Sequence, residues 1–229
     1  MASFGVPFFI IEYMKVRLYM VRHGQTYFNR YGKLQGWSEA PLTPEGEGQC
    51  RKAAQDMEGA GFCAAFSSDL RRAEDSLKIE LSCMGLDVPT RSFPELREEF
   101  FGFFEGFNDS EAWVMAGAKK GVKTFQEALE KCGEDGAMDL LKEADPFSDA
   151  EGSLEYWKRI KEGYRKAGLW IESLNPQGPL LQVCHGSTLL NLLRKQGSQR
   201  TKRPGNGEIF KCIFDTKADF EHCLSFEAL

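Results

Sequence analysis

The stretch Leu18-Tyr19-Met20-Val21-Arg22-His23-Gly24-Gln25-Thr26 decides how this chain is read. Apolar, β-branched and aromatic residues from Val16 to Val21 suit a central strand, and the run stops abruptly at an arginine, a histidine and a glycine. A cationic side chain and an imidazole are thereby delivered to one end of a sheet, where the chain has to turn. Such a place binds an anion and can do chemistry on it. The comparable stretch further along is Leu181-Gln182-Val183-Cys184-His185-Gly186, a second buried-looking run that ends in His-Gly. Of the three histidines, His23 and His185 share this context and are read as a functional pair. His222 sits in an apolar-polar alternation near the C-terminus and is read as structural.

Outward from the first strand, the segment Arg22 to Leu42 is a long loop dotted with Gly24, Gly32, Gly36 and Pro41, of the kind that lines a site. Thr43-Pro44 gives an N-cap followed by proline at the first helical position, so a helix is expected from Pro44 towards Met57. Cys63 to Ser67 is a short strand. Ser68 to Ala73 opens a helix running to Met84, with Arg71 and Arg72 in its first turns, an arrangement that opposes the macrodipole unless both hold an anion there. Val88 to Arg91 is another strand, and Pro94 to Gly106 a loop dense in acids and phenylalanines. Helical sequence at Ser110 to Lys119 and Lys123 to Lys131, closed by Asp145-Pro146, is read as an insertion covering the site. Apolar spacing predicts a helix over Ser153 to Leu174, then a strand over Pro179 to Cys184, a helix over Ser187 to Lys195, and strands at Glu208 to Asp215 and Phe220 to Phe226. This alternation implies an α/β three-layer sandwich, a largely parallel central sheet flanked by helices, with its functional edge beyond the strand C-terminal ends.

The 229 residues carry a formal net charge of −5, so bulk charge suggests neither a nucleic-acid nor an anionic membrane surface. Seven cysteines, an odd number without a Cys-x-x-Cys pair, argue for reduced thiols and a cytoplasmic setting. Residues 1–14 are expected to be an N-terminal extension without the basic leader of a signal peptide, an ordered arm packing its phenylalanines being the alternative; 15–229 form one domain, with 107–150 as the cover.

No His-x-x-x-His, Glu-x-x-His or cysteine cluster supplies a metal site, and no Gly-x-x-x-x-Gly-Lys loop a nucleotide site. A cysteine phosphatase needs an arginine six positions after its nucleophile, and Leu190 stands six after Cys184. Phosphoryl transfer through histidine fits better: a neutral imidazole attacks phosphorus, arginines and a second histidine hold the oxygens, and a carboxylic acid protonates the leaving group. Arg22, Arg72, His185 and Glu98 are candidates. Spacing alone leaves open that Arg72 is a surface helix residue and Glu98 a solvated loop acid.

Arg22-His23-Gly24-Gln25-Thr26-x-x-Asn29, Gln35-Gly36-Trp37-Ser38, Pro41-Leu42-Thr43, Ser68 to Ala73, Leu96-Arg97-Glu98 with Gly102-x-x-Glu105-Gly106, and Val183-Cys184-His185-Gly186 together resemble the histidine phosphatase superfamily, in its phosphoglycerate mutase-like branch. By that resemblance His23 is the nucleophile that becomes phosphohistidine. Arg22, Arg72 and His185 form the phosphate pocket with Asn29, Glu98 is the proton donor, and Gln35 or Ser38 lines the entrance. The resemblance implies metal-independent hydrolysis of a small phosphorylated metabolite, without a cofactor and without nucleic-acid or membrane partners; a homodimer is left open.

The alternative is a cofactor-dependent phosphoglycerate mutase, which returns the phosphoryl group to substrate. A phosphate-binding module without turnover is a third reading, disfavoured because neither nucleophile nor acid is missing. Mutases of this family resemble Leu-x-Glu-Arg-x-Tyr-Gly at the acid loop and carry a basic stretch beyond it for the substrate carboxylate. Here Glu99 stands in place of that arginine and Phe100 follows, which favours hydrolysis. Lys119, Lys120 and Lys123 could meet a carboxylate or simply solvate a helix face.

Overall fold

The computed structural model describes residues 14–227; the expected N-terminal extension lies, up to Tyr13, outside them. Six strands form one sheet in the order β3-β2-β4-β1-β5-β6. These are β1 (Lys15–Arg22), β2 (Ala64–Ser67), β3 (Thr90–Ser92), β4 (Leu180–Cys184), β5 (Ile209–Asp215) and β6 (Leu224–Phe226). Neighbours from β3 to β1 run parallel, while β5 is antiparallel to both β1 and β6. The expected strand at Phe220 to Phe226 is shorter than its alternation suggests. Its first part turns instead, with Asp219 accepting from the His222 backbone N–H and contacting its ring, and that ring is exposed.

The helices are α1 (Tyr27–Arg30), α2 (Pro44–Asp56), α3 (Arg71–Cys83), α4 (Asp109–Gly117), α5 (Phe125–Ala144), α6 (Ser153–Leu174) and α7 (Gly186–Lys195). Thr43 caps α2 by accepting from Gly46 N, with proline at the first position. Side chains alternate across β1: Val16, Leu18 and Met20 pack with α6 and α7, whereas Tyr19 and Val21 pack with α2 and α3. A strand covered on both faces has to be apolar throughout its centre, which is why 18–21 reads as a continuous hydrophobic run. Cys184 belongs to the α6 side of this core, as expected of a small apolar residue.

Over one end of the sandwich α4 and α5 carry an apolar cluster of their own, in which Phe101, Phe104, Trp113, Leu129 and Leu141 meet Leu190 of α7. The helix expected to stop at Lys131 continues to Ala144, and Gly133 interrupts it with φ 71° and ψ −179°. A positive φ is open to glycine at little cost, so the break changes the helix direction without ending it. Among the described residues no helix is long and apolar enough to cross a membrane.

Candidate active site

The parallel register sets Arg22 of β1 beside Cys184 of β4, so the two His-Gly turns leave the sheet side by side. The His23 and His185 rings lie 5.3 Å apart between centroids, and both are buried. His23 Nδ1 is 2.8 Å from the Gly24 carbonyl. A carbonyl only accepts, so Nδ1 carries the proton and Nε2 keeps its lone pair, towards which Arg72 Nε donates at 3.3 Å. Burial, reinforced by Arg72 and Arg22, holds His23 well below the usual imidazole range, and burial with Arg72 and His23 does the same for His185. Both are neutral near pH 7. His185 Nε2 contacts Ser68 Oγ at 2.7 Å, whereas its buried Nδ1 has no partner among the described residues.

Glycine makes this packing possible at two points. A Cβ on Gly24 would sit 2.4 Å from the Gly46 carbonyl oxygen, so the start of α2 lies directly against the turn. A Cβ on Gly186 would sit 3.0 Å from Arg22 Cζ, so the second His-Gly leaves room for the guanidinium of the first Arg-His. Arg22 donates through Nη1 to the Pro204 carbonyl, and its buried Nε is without a partner among the described residues. Desolvation and the nearby Arg203 bring Arg22 down to about 10, which leaves it charged at neutral pH.

Arg72 is 1% exposed, so it is not a surface helix residue. Its fork donates to the carbonyls of Gln35, Gly36 and Ser38 at 3.3, 2.7 and 3.3 Å. Burial lowers it to about 10, with Glu98 opposing that shift. Arg71, expected to share the anion, is instead exposed and pairs with Asp75, because consecutive helical residues point about 100° apart. Ser38 is also displaced from its expected place. Its hydroxyl donates to Glu105, and only its carbonyl serves the site, through Arg72. Glu105 also gathers the backbone N–H groups of Gly36, Trp37, Ser38 and Phe101, which fixes the loop that seats Arg72.

Glu98 is buried at 5% exposure and accepts four hydrogen bonds: from Ser187 N at 2.7 Å, Thr188 N and Thr188 Oγ1 at 2.9 Å, and Glu99 N at 3.1 Å. Its carboxylate caps the positive end of α7, directly after His185. The loop that delivers it is clasped by Arg159, which donates to the carbonyls of Glu95, Arg97 and Glu98 and pairs with Glu151. Its neighbour Glu99 is equally buried, and burial and the charge of Glu98 push it well above the usual carboxylate range.

A small cleft is lined by Arg22, His23, Asn29, Gln35, Glu98 and, from outside the expected set, Arg203. Asn29 Oδ1 is occupied by Thr26 N and Asn206 Nδ2, so its amide nitrogen is the group left for a ligand. Asn206 also donates to the His23 carbonyl at 2.9 Å. Arg203 and Asn206 lie in a Pro-Gly-Asn-Gly approach that reads as a turn, and nothing local marks them as reaching a strand end some 180 residues earlier. Phe101 lines the cleft, while Phe104 and Trp113 are consumed by the cover's core. Among the described residues no group of three or more metal-ligating side chains is present.

The family described as "Histidine phosphatase superfamily (branch 1)" matches residues 18–206. A 2,3-bisphosphoglycerate-dependent phosphoglycerate mutase 1 of Nitrosomonas europaea is 38% identical over 203 residues, covering 79% of this chain and 82% of that protein. A 2,3-bisphosphoglycerate-dependent phosphoglycerate mutase 2 of Gloeobacter violaceus is 29% identical over 88% of this chain and 86% of that protein. The crystal structure of phosphoglycerate mutase from Bacillus anthracis superposes with a TM-score of 0.83 at 27% identity, covering 95% and 94% of the two chains. The chain therefore belongs to the histidine phosphatase superfamily, in its phosphoglycerate mutase-like branch. It is an enzyme of that superfamily, and its chemistry is that of a phosphohistidine.

Proposed function

We propose that His23 carries the phosphoryl group, and that the reaction is the interconversion of phosphoglycerates. The geometric observation behind the first part is the tautomer. With Nδ1 committed to the Gly24 carbonyl, the Nε2 lone pair is the nucleophile and Arg72 stands beside it to meet the developing charge. Arg22, His185 and Asn29 complete the phosphate pocket, and Glu98 passes the proton to and from the leaving oxygen. The second part rests on likeness along nearly the whole chain to proteins named as phosphoglycerate mutases. That likeness outweighs the acid-loop residues, which on their own favour hydrolysis.

Hydrolysis of a phosphomonoester is the second reading, and two observations favour it. Glu99 and Phe100 stand at the acid loop, and Lys119, Lys120 and Lys123 are exposed and do not line the cleft.

The test supplies 3-phosphoglycerate with a trace of 2,3-bisphosphoglycerate in the presence of a chelator, and follows 2-phosphoglycerate and free phosphate together. A mutase forms 2-phosphoglycerate much faster than phosphate. Phosphate release outrunning isomerisation would transfer the assignment to hydrolysis. His23→Ala is expected to lower either rate by at least about 10⁴-fold, and substantial residual turnover would remove His23 from its role.

A further inference from the structure

We propose that Arg203 holds a second anionic group of the substrate, a carboxylate on the same small skeleton that bears the phosphate. The inference rests on the phosphoryl-transfer reading above and deepens it.

Arg203 lies between α7 and β5 and lines the same cleft as Arg22, His23 and Glu98. Its guanidinium is seated on three sides: Nε donates to Ser187 Oγ at 3.1 Å, Nη1 to Asp109 Oδ1 at 3.1 Å, and Cζ stands 4.1 Å from the centre of the Phe125 ring. Nη2 has no partner among the described residues. The loop carrying it is fastened as well. Arg200 and Glu208 pair in two-pronged fashion at 2.7 and 2.9 Å, Arg22 holds the Pro204 carbonyl, and Asn206 holds the His23 carbonyl. A donor fixed relative to both Arg22 and His23 presents a preset spacing between two anion sites, and such preorganisation lowers the cost of binding a ligand that carries both groups.

Charge points the same way. Arg22, Arg203 and Lys33 line the cleft against one carboxylate, that of Glu98, and Asp109, which accepts from Arg203, is shared with Trp113 Nε1. The repulsion between Arg203 and Arg22 is relieved when one ligand places negative charge near both. Lys119, Lys120 and Lys123, which could have met a carboxylate, are exposed and off the cleft. This chain thus supplies that cation from another element. Because Arg203 also touches Asp109 of α4 and Phe125 of α5, a carboxylate bound there is felt by the cover.

The experiment measures, by calorimetry on the full chain, the affinities of 2-phosphoglycolate and of inorganic phosphate. In Arg203→Met the preference for phosphoglycolate over phosphate is expected to fall by about 30-fold, the scale of one charged hydrogen bond, and Arg203→Lys to restore part of it. Asp109→Asn, whose side-chain oxygen can still accept from Nη1 while its negative charge is gone, is expected to hold the preference within about 3-fold of wild type or raise it. An unchanged preference in Arg203→Met overturns the inference, and so does an equal loss in Asp109→Asn, since the bridge and not the cation would then matter. A wild type that fails to isomerise 3-phosphoglycerate but keeps an Arg203-dependent preference sinks the mutase reading and leaves this one standing. Isomerisation with a preference indifferent to Arg203 does the reverse.

Discussion

At one end of α3 Arg72 is buried among partners, whereas eight residues later on the same helix Glu80 is buried with none. Near Arg72 the buried charges have partners: Arg72 has three carbonyls and His23, and Glu98 has four donors. Glu80 is fully buried on the α2 side of the sheet, and neither of its carboxyl oxygens has a hydrogen bond among the described residues. Burial alone pushes it well above the usual carboxylate range. Charge survives removal from water only where counter-groups are already in place. One end of α3 can therefore hold a buried cation, while the other holds a neutral acid.

The largest expected effect tests whether the charged end depends on the shape of its fork. Arg72→Lys keeps the charge but cannot reach three carbonyls and an anion together, and kcat/KM is expected to fall by about 10² to 10³-fold. A loss under about 5-fold would show that charge alone suffices. Glu98→Gln comes next. Its NH₂ meets a donor in either orientation, Ser187 N at one position or Thr188 N at the other, and turnover of an alkyl phosphate is expected to drop about 10²-fold, with a much smaller loss for p-nitrophenyl phosphate. Equal losses on both would reduce Glu98 to a cap on α7.

At the neutral end the effect is on stability. Glu80→Met is expected to stabilise the fold by about 1 to 3 kcal/mol at pH 8. The sign follows from linkage. Folded Glu80 keeps a proton that the unfolded chain releases above its usual pKa of about 4.5. Its contribution is thus fully present below that pH and declines as pH rises towards the folded value, by about 1.4 kcal/mol per pH unit. His23 and His185, with lowered values, act in the opposite sense around pH 6.5, and Glu99 acts in the same sense as Glu80. The informative quantity is the difference between variant and wild type in urea unfolding, which should widen from pH 5 to pH 8. A constant difference would mean that Glu80 is not held neutral.

Much of the sandwich is legible because both-face burial writes a continuous apolar run and because Thr43-Pro44 and the two His-Gly turns are local signals. Whatever depends on distant partners is not legible. Arg71 and Arg72 are adjacent and chemically identical; only the carbonyls of residues 35, 36 and 38 decide which one is buried. Ser38 looks like an entrance residue until Glu105, 67 positions later, takes its hydroxyl. Arg203 and Asn206 are disguised by turn-forming neighbours. The length of α5 escapes reading because Gly133 and Gly136 suggest an end, whereas tertiary contacts carry the helix past them.

Those contacts give the kink at Gly133 a mechanical meaning. Beyond it, Glu134 reaches Arg194 of α7, Asp135 reaches Trp157 of α6 and Asp139 reaches Ser153, so that half of α5 is anchored to the sandwich. Before it, Phe125 packs against Trp113 of α4 and faces Arg203. The glycine is a seam between a half of the helix braced on the sandwich and a half that leans on Arg203. A substitution in residues 109–132 therefore reaches the cleft through Arg203 and Phe101, whereas one beyond the seam meets the ties to α6 and α7 first.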